Sequence, residues 1–493
     1  MDALDAGQHG DRRDAGVDRR QRGVVQRDLS LLTSQGGRIM IRYLSGGVAG
    51  GAALLLTAIV TAAGVQPSAQ HFPSTFGSLG FPPNFPAGTT LSITQWSHFV
   101  PRYDKWFDKY AQDWGQRNNV TVTVQHINLA DLVPTLAAAV AARRGSTLFE
   151  MIATPASFIE GLQDLGDVNH AAQQAFGKEQ TVCTSQSYLP VKNYWYGYCA
   201  GWVPDPGDYR LSLWKAAGYP TGPHTYADLY AGGVKIFRKT GLPVGVGMSP
   251  EIDSEFYARS LIWSFGGSLF DKCGDAALNS PPVVKAVTYQ AKLFKDAETP
   301  EVFSWNAASN NEAFVSDQTS YIQNSISFYR TAQQSNEKNA EDTGLTPGLK
   351  GPTGAVHQTS HVWFIYVLPK YVTDHEQITA AKKFLLDLTA NYSWATYESE
   401  LYDFPAFEAT VPQLFERGGW LEHDPWGSVP PNKLEVLRNA AAWTAWPGYP
   451  GYANPAASEV YNTHLLSTMM AQAARGEKTP AQAVADTATQ IGT

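Results

Sequence analysis

LWKAAGYPTGPHTYADL, residues 213–229, carries the most specific local signals in the chain. Its first half completes a helix predicted over residues 211–217. In its second half Thr225 can cap a new helix, and Asp228 three residues later can reach back to the backbone of Thr225, a variant of the capping box. The stretch therefore predicts two helices joined by a short turn.

The region before this stretch alternates between strand and helix patterns. Residues 91–95 alternate like a strand, and Val120, Val122 and Val124 alternate again. Between them aromatic residues recur at helical spacing, namely Tyr103, Trp106, Phe107, Tyr110 and Trp114. Such an order implies a parallel strand pair with a right-handed crossover. A helix starting at Asp131 and a strand at 148–153 complete an α/β lobe of the open-sheet kind.

The length of the chain predicts two domains or lobes, because 493 residues exceed what a single core usually organises. Helical periods continue through the second half, at residues 256–265, 282–296, 378–388, 464–474 and 481–490. Charged residues make up only 17% of the chain and aromatic residues 12%, so enough apolar surface is present to fill both cores.

The charge and the motifs exclude some functional classes. The formal net charge is −8, and residues 1–63 contain more Arg than Asp, so the remainder is more acidic still. Nucleic acid is therefore not an expected partner. No nucleophile elbow, zinc-protease motif, phosphate loop or dinucleotide fingerprint occurs in the sequence, and we expect a protein that is not an enzyme.

The N-terminal region reads as an export signal. Residues 48–63 form the one long apolar stretch, with Arg42 before it and small residues at its end, as in a signal peptide that starts at Met40. Residues 1–39 then represent a mis-assigned upstream segment, 40–63 the signal peptide and 64–88 a Pro-rich entry segment. We expect an exported protein of the periplasm or cell envelope.

The segments taken in order resemble the maltose-binding-protein-like family, the bacterial extracellular solute-binding proteins of carbohydrate ABC transporters. The likeness spans nearly the whole chain after residue 88, and the pair LWKAAGYP at 213–220 and PHTYADL at 223–229 carries it best. Further matches are Gly266-Gly267, EAF at 312–314, FPA at 404–406 and the C-terminal helices at 459–490. Two segments depart from the family pattern: Phe149-Glu150, and the turn SHVW at 360–363.

This resemblance implies a type II periplasmic-binding-protein fold, a two-lobed α/β clamshell with the ligand in the cleft. Lobe 1 is expected to comprise residues 89–197 plus 362–403, and lobe 2 residues 198–361 plus 404–493. The chain would cross between lobes near residues 196–202, 361–367 and 402–406. The implied partners are a small ligand, most simply a mono- or oligosaccharide, and the permease subunits of an ABC importer. We expect a monomer without a cofactor.

Loops after strands give the first candidate ligand contacts, because ligands of open α/β sheets lie beyond the carboxyl ends of the strands. Trp96 can stack on a sugar, while Ser97 and His98 can bond hydroxyl groups. Thr154 and Phe158 take the corresponding position after the third strand. For Trp96, and equally for Thr154 and Phe158, ordinary packing is the alternative.

Other candidates come from the resemblance. Asp253 and Tyr257 match a family stretch that contributes aromatics and a carboxylate, and Phe328 corresponds to an aromatic that stacks on sugar. His361 and Trp363 occupy a turn that lines the cleft in the family, although Trp363 could also be a core residue. Tyr449 lies in an aromatic- and Pro-rich stretch that can close over the site or form a rigid surface loop.

The cysteines predict a disulfide rather than a metal site. Cys183, Cys199 and Cys273 allow three pairings, and their spacings are not those of zinc ligands. We favour Cys183 with Cys199, because they flank one turn-containing segment, and leave Cys273 free.

Two other functions remain open at this point. A polyamine-binding protein would place several carboxylates among the aromatics of the cleft. A secreted glycoside-active enzyme would need a pair of catalytic carboxylates, which could come from one of two acidic groups: Glu251, Asp253 and Glu255, or Glu398, Glu400 and Asp403.

Overall fold

The computed structural model describes residue 67 and residues 79–492. The expected upstream segment and signal peptide lie outside the described residues, as does most of the expected entry segment. No helix among residues 79–492 is long and apolar enough to cross a membrane.

Short strands and many helices alternate along the described chain. The strands are β1 (Thr90–Trp96), β2 (Thr121–Ile127), β3 (Leu148–Met151), β4 (Tyr188–Leu189), β5 (Tyr194–Trp195), β6 (Tyr198–Pro204), β7 (Gly207–Arg210), β8 (Tyr321–Gln323), β9 (Thr343–Thr346), β10 (Gln358–Val367), β11 (Phe404–Pro405) and β12 (Thr444–Ala445). The helices are α1 (Pro101–Asn118), α2 (Leu132–Ala142), α3 (Gly166–Phe176), α4 (Thr181–Ser187), α5 (Leu211–Ala216), α6 (Tyr226–Thr240), α7 (Ile252–Ser264), α8 (Pro281–Ala297), α9 (Ser309–Val315), α10 (Ser327–Ser335), α11 (Glu337–Glu341), α12 (His375–Ala390), α13 (Tyr392–Glu398), α14 (Pro412–Phe415), α15 (Ala440–Trp443), α16 (Pro455–Thr463), α17 (Leu465–Ala474) and α18 (Pro480–Gly492).

The main sheet has the strand order β11-β6-β10-β3-β1-β2, and β12 pairs with β10. Strand β1 runs parallel to β2 and β3, as the strand-helix-strand pattern predicts. Strand β10 is antiparallel to both β3 and β6. Helix α1 covers this sheet with its buried face, which contains Tyr103, Phe107 and Trp114. These aromatic residues, whose helical spacing is visible in the sequence, thus hold the first crossover helix against the sheet.

A smaller antiparallel sheet has the strand order β8-β7-β9. Its core differs from that of the main sheet. We call the core around the main sheet the first core; Leu91, Phe107, Phe384 and Phe404 belong to it. The second core contains Tyr321 of the smaller sheet together with Trp214, Leu261, Val287 and Leu466. Each core is sufficient in apolar content to define a lobe of its own.

The lobe boundary expected at residue 404 falls inside the first core. Buried residues from Phe404 to Trp443 pack in the first core, and buried residues from Leu466 to Val484 pack in the second. We therefore propose that lobe 1 also includes residues 404–445 and that lobe 2 regains the chain near α16. The short β11 explains the difference, because it pairs with β6 of the main sheet and holds the following residues there.

Cys183 in α4 and Cys199 in β6 form a disulfide with their Cα atoms 5.6 Å apart, while Cys273 is an exposed thiol. The bond ties a short helix to a strand of the main sheet.

Candidate functional site

A cavity of about 790 Å³ opens at the carboxyl ends of β1, β2 and β3. One wall consists of the loops after these strands: Ser97, Phe99, Asn128, Leu129, Ala130, Val133, Pro134, Met151, Ile152, Ala153, Thr154 and Phe158. The opposite wall consists of the start of α7, a loop and the end of α16: Pro250, Glu251, Ile252, Asn306, Ala307, Ala308, Tyr461, Asn462 and His464. This is the position that open parallel sheets offer to ligands.

The cavity combines apolar surface with a few polar groups. Phe99 and Phe158 are half-buried, so each keeps part of its ring for a ligand. Asn128 accepts a hydrogen bond from the backbone N–H of Ala130 at 3.0 Å, and Asn306 accepts one from Ala308 at 2.8 Å. Since only the oxygen of each amide is used in these turns, the amide nitrogens can donate to a bound solute.

Its ionisable groups add little fixed charge. Burial, together with the nearby Arg259 guanidinium, lowers the pKa of His464 to about 4, so this imidazole is neutral at neutral pH. Burial raises the pKa of Glu251, whose carboxylate caps α7 by accepting from the N–H groups of Asp253 and Ser254. The cavity is therefore suited to a ligand with hydroxyl groups more than to one with high charge.

Three of the sequence-predicted residues line this cavity: Ser97, Thr154 and Phe158. Ser97 is exposed and directly follows β1. The hydroxyl of Thr154 lies 3.1 Å from that of Tyr196, and its carbonyl accepts a hydrogen bond from Ser458 at 2.9 Å. All three residues follow the carboxyl end of β1 or β3, which is where the strand-end rule predicts ligand contacts.

Trp96 and His98, on either side of Ser97, face inward. The ring of Trp96 is buried and stacks on that of His98, with 4.9 Å between centroids. His98 Nε2 lies 2.9 Å from Asp403 Oδ1, and His98 Nδ1 accepts from the N–H of Val100 at 2.9 Å. Both side chains therefore pack behind the loop that lines the cavity.

Asp253 and His361 meet in a buried polar network near the same wall. His361 Nδ1 is 3.0 Å from Asp205 Oδ1 and 4.0 Å from Asp253 Oδ1. Asp253 also accepts a hydrogen bond from the amide of Asn310 at 3.0 Å. Burial raises the pKa of Asp253, and the neighbouring Glu251 and Asp205 carboxylates raise it further.

The remaining predicted residues lie away from the cavity wall. Trp363 has no exposed surface, and its Nε1 donates to the carbonyl of Val182 at 2.8 Å. Phe328 is equally buried and packs edge-on against Phe314, while Tyr257 is buried in the second core. Tyr449 is half-buried, with its ring centroid 4.7 Å from that of His357.

Sequence reasoning missed several lining residues, among them Phe99, Asn128, Asn462 and His464. Asn128 directly follows β2, so the strand-end rule applied to the second strand would have found it. Asn462 and His464 carry no such signal, because they reach the cavity from the far end of the chain.

Two smaller features lie outside this cavity. A cavity of about 420 Å³ adjoins it at Phe99 and is lined also by Arg102, Lys105, Arg330 and Glu400. Among residues 79–492, the group of metal-ligating type is Glu179 with Cys183 and Cys199. Because these two cysteines are joined in a disulfide, their sulfur atoms are not thiolate ligands here.

Comparison with known proteins agrees with this geometry. The family model described as bacterial extracellular solute-binding protein matches residues 105–425, whereas no curated protein sequence matches significantly. Three similar solved structures have TM-scores of 0.66 and each covers 82% of this chain. They are maltose-bound MalE3 of T. maritima (17% identity, 99% of that chain covered), an ABC transporter solute-binding protein of Agrobacterium radiobacter K84 with ribitol (17%, 98%) and a sugar transporter of Arthrobacter chlorophenolicus A6 with laminaribiose (15%, 98%).

At these identities the structural likeness establishes the fold, which is the two-lobed type II periplasmic-binding-protein fold. The family match covers well over half of the chain and includes the loops after β2 and β3 and the start of α7. The chain belongs to the family of bacterial extracellular solute-binding proteins.

Proposed function

We propose that this protein captures a mono- or oligosaccharide outside the cytoplasmic membrane and delivers it to the permease subunits of an ABC importer. The observation that carries the proposal is the cavity of about 790 Å³, with one wall from the loops after β1, β2 and β3 and the other from the start of α7, residues 306–308 and the end of α16. Its volume lies within the usual range for small-molecule sites. The bound maltose, laminaribiose and ribitol of structurally similar proteins support a polyhydroxylated ligand.

The chemistry of the lining supports the same ligand class. A sugar ring has an apolar C–H face, which the half-buried rings of Phe99 and Phe158 can cover. Its hydroxyl groups can bond the Ser97 hydroxyl and the amides of Asn128, Asn306 and Asn462. Neutral amides and hydroxyls suit hydroxyl groups without the desolvation cost of a buried unpaired charge.

Capture would proceed by closure of the lobes around the solute. Strands β6 and β10 lie side by side, and the chain passes between the two cores after β6 and before β10, so these two strands form a narrow connection about which the lobes can rotate. Because one wall comes from residues 97–158 of lobe 1 and the other from segments expected in lobe 2, closure would bury the ligand. We propose that the protein acts as an exported monomer, in the periplasm or cell envelope, and is not an enzyme.

A polyamine is the alternative ligand, and Glu251 is the observation that favours it, since its carboxylate lies in the cavity wall. The lining residues contain this one carboxylate, whereas a polyamine has several ammonium groups to neutralise. The same count argues against glycoside hydrolysis, which uses two carboxylates across the scissile bond.

Thermal-shift screening of purified protein against mono-, di- and oligosaccharides, polyols and polyamines tests the proposal. We expect a sugar or polyol to raise the melting temperature, and calorimetric titration to give one site per chain. A response to polyamines alone would transfer the proposal to that class. Release of a cleaved product from an oligosaccharide would contradict a pure binding function.

Variants of two half-buried phenylalanines locate the site. Phe158 lines the cavity, whereas Phe237 packs on the second core away from it. Loss of a stacking ring should weaken sugar affinity about tenfold or more for Phe158→Ala. Phe237→Ala should leave affinity unchanged. Equal effects of the two variants would mean that the sugar binds elsewhere.

A further inference from the structure

One of two buried histidine-aspartate pairs lies within lobe 1, and the other lies beside it where the chain passes from the first core toward the second. One joins His98 Nε2 to Asp403 Oδ1 at 2.9 Å, and the other joins His361 Nδ1 to Asp205 Oδ1 at 3.0 Å. All four side chains are at most 2% exposed. We call them the hinge pairs, because Asp205 belongs to the connecting segment after β6 and the pair of His98 and Asp403 adjoins the pair of His361 and Asp205 through Tyr402.

Each hinge pair links parts of the chain that are distant in sequence. Asp205 lies between β6 of the main sheet and β7 of the smaller sheet, while His361 lies in β10. Asp403 directly precedes β11, and His98 follows β1. A rotation of one lobe against the other changes backbone angles in the connecting segment that contains Asp205, so it alters the geometry of the pair that Asp205 makes with His361.

Tyr402 makes the two pairs one contiguous unit. Its ring lies edge-on to both imidazoles, with centroids 4.9 Å from His98 and 6.2 Å from His361. Asp253, at 4.0 Å from His361 Nδ1, extends the unit into the first turn of α7. The network therefore reaches α7, a helix that packs in the first core through Ile252 and Phe256 and in the second through Tyr257 and Leu261.

The cavity lining is adjacent in sequence to this network. Ser97 and Phe99 flank His98, and Ile252 immediately precedes Asp253. A displacement of the loop at Ser97 and Phe99, or of the backbone at Ile252, would therefore change the distances within the network. A solute in the cavity would contact Ser97, Phe99 and Ile252, which are the sequence neighbours of His98 and Asp253.

The hydrogen-bond roles in the first pair are fixed. Because the N–H of Val100 donates to His98 Nδ1, that nitrogen is unprotonated and Nε2 carries the proton that is donated to Asp403. In the second pair Nδ1 of His361 faces Asp205 instead. Separating either buried pair without a replacement partner leaves polar groups unsatisfied, which strongly favours the arrangement in which both pairs are formed.

We propose that the two hinge pairs, joined through Tyr402, set the balance between the arrangement of the lobes seen here and its alternative, and thereby the affinity for the solute. His98, His361, Asp205 and Asp403 are then positioning residues that act through the cavity loops. This inference rests on the proposed closure around a solute. A ligand that needs one arrangement binds with an apparent Kd equal to its intrinsic Kd divided by the fraction of molecules in that arrangement.

Inter-lobe distances measured by electron spin resonance test the proposal in the ligand-free protein. Spin labels are placed on the exposed native thiol of Cys273 and on Gln116→Cys, an exposed position of α1. We expect His98→Asn and His361→Gln, whose amide nitrogens lie at the wrong distance from Cα, to reduce the population at the distance of this structure at least threefold. His98→Gln and His361→Asn, which carry the nitrogen at the right position, should restore it.

His126 provides a matched control. Its imidazole contacts Asp108 at 2.9 Å and Asp104 at 3.4 Å, and all three residues belong to β2 or α1 on the main sheet. His126→Asn should therefore leave the distance distribution unchanged. Identical distributions for wild type and the wrong-position variants, all with native circular dichroism, would overturn the proposal. A failed sugar screen would count against the proposed function alone, because the distances are measured without ligand.

Discussion

The indole of Trp363 lies wholly inside the first core, and its Nε1 donates to the carbonyl of Val182. Truncating a buried aromatic of this size removes both its packing and this hydrogen bond. We therefore expect Trp363→Ala to lower the free energy of unfolding by roughly 3–5 kcal/mol, measured by denaturant titration. Trp363→Phe, which keeps most of the ring, should cost less.

A different outcome would support the interpretation made from the sequence. If Trp363→Ala kept its melting temperature but lost affinity for a sugar found by screening, the residue would act on the ligand. The sequence could not decide between the two, because every residue of β10 is buried and no alternation distinguishes a core face from a cleft face. Ser97 and Phe158, in contrast, follow strand ends and were predictable at the cavity.

Glu150 and Glu179 are buried carboxyl groups whose burial raises each pKa to about 8. Such an acid keeps its proton in the folded state while the unfolded chain releases it above its ordinary pKa. Stability therefore falls as the pH rises from about 4.5 toward 8. We expect Glu150→Gln and Glu179→Gln to change the free energy of unfolding, relative to wild type, more favourably at pH 8 than at pH 5. The difference between the two pH values should be about 1 kcal/mol or more.

Denaturant titrations at pH 5 and pH 8 provide the measurement. Glu459→Gln, at an exposed position of α16, is the control and should show no such pH difference. An equal effect of Glu179→Gln at both pH values would mean that its carboxyl titrates normally.

At the scale of elements, the start of α6 is the local structure that the sequence predicted in most detail. Thr225 Oγ1 accepts from the N–H of Asp228 at 3.0 Å, and the Asp228 carboxylate accepts from the N–H of Thr225 at 3.0 Å. The capping box is thus confirmed. Local hydrogen bonds of this kind depend on spacing within one stretch, so a sequence can reveal them.

Thr225→Ala should cost about 1 kcal/mol of stability, because one N–H group at the start of α6 loses its acceptor. Thr288→Ala provides the comparison, since Thr288 is exposed within α8 and its loss should be nearly neutral. Thermal unfolding of both variants gives the measurement. A destabilisation of Thr288→Ala as large as that of Thr225→Ala would show that the cap contributes nothing specific.

For the whole molecule, the order of strands and helices predicted two lobes, but the path of the chain between them depends on pairing over long separations. Phe404 pairs with Trp202 and brings the residues after it to the main sheet. Tyr461 and His464 reach the cavity from α16 and its end. Contacts across 200 residues or more are set by tertiary packing, which the periodicity of a single segment does not encode.

A solute held between both walls should stabilise both cores together. At a free concentration of a hundred times Kd, binding adds about 2.7 kcal/mol to the folded state. For two lobes that unfold together, with an unfolding entropy of about 2.1 cal/mol/K per residue, that corresponds to a rise in melting temperature of roughly 3 °C. Scanning calorimetry with a sugar identified by screening should show the entire unfolding transition moving upward, and the shift should shrink in Phe158→Ala. If instead part of the transition stayed in place, the solute would contact one lobe only, and the cavity between the two walls would not be the site of capture.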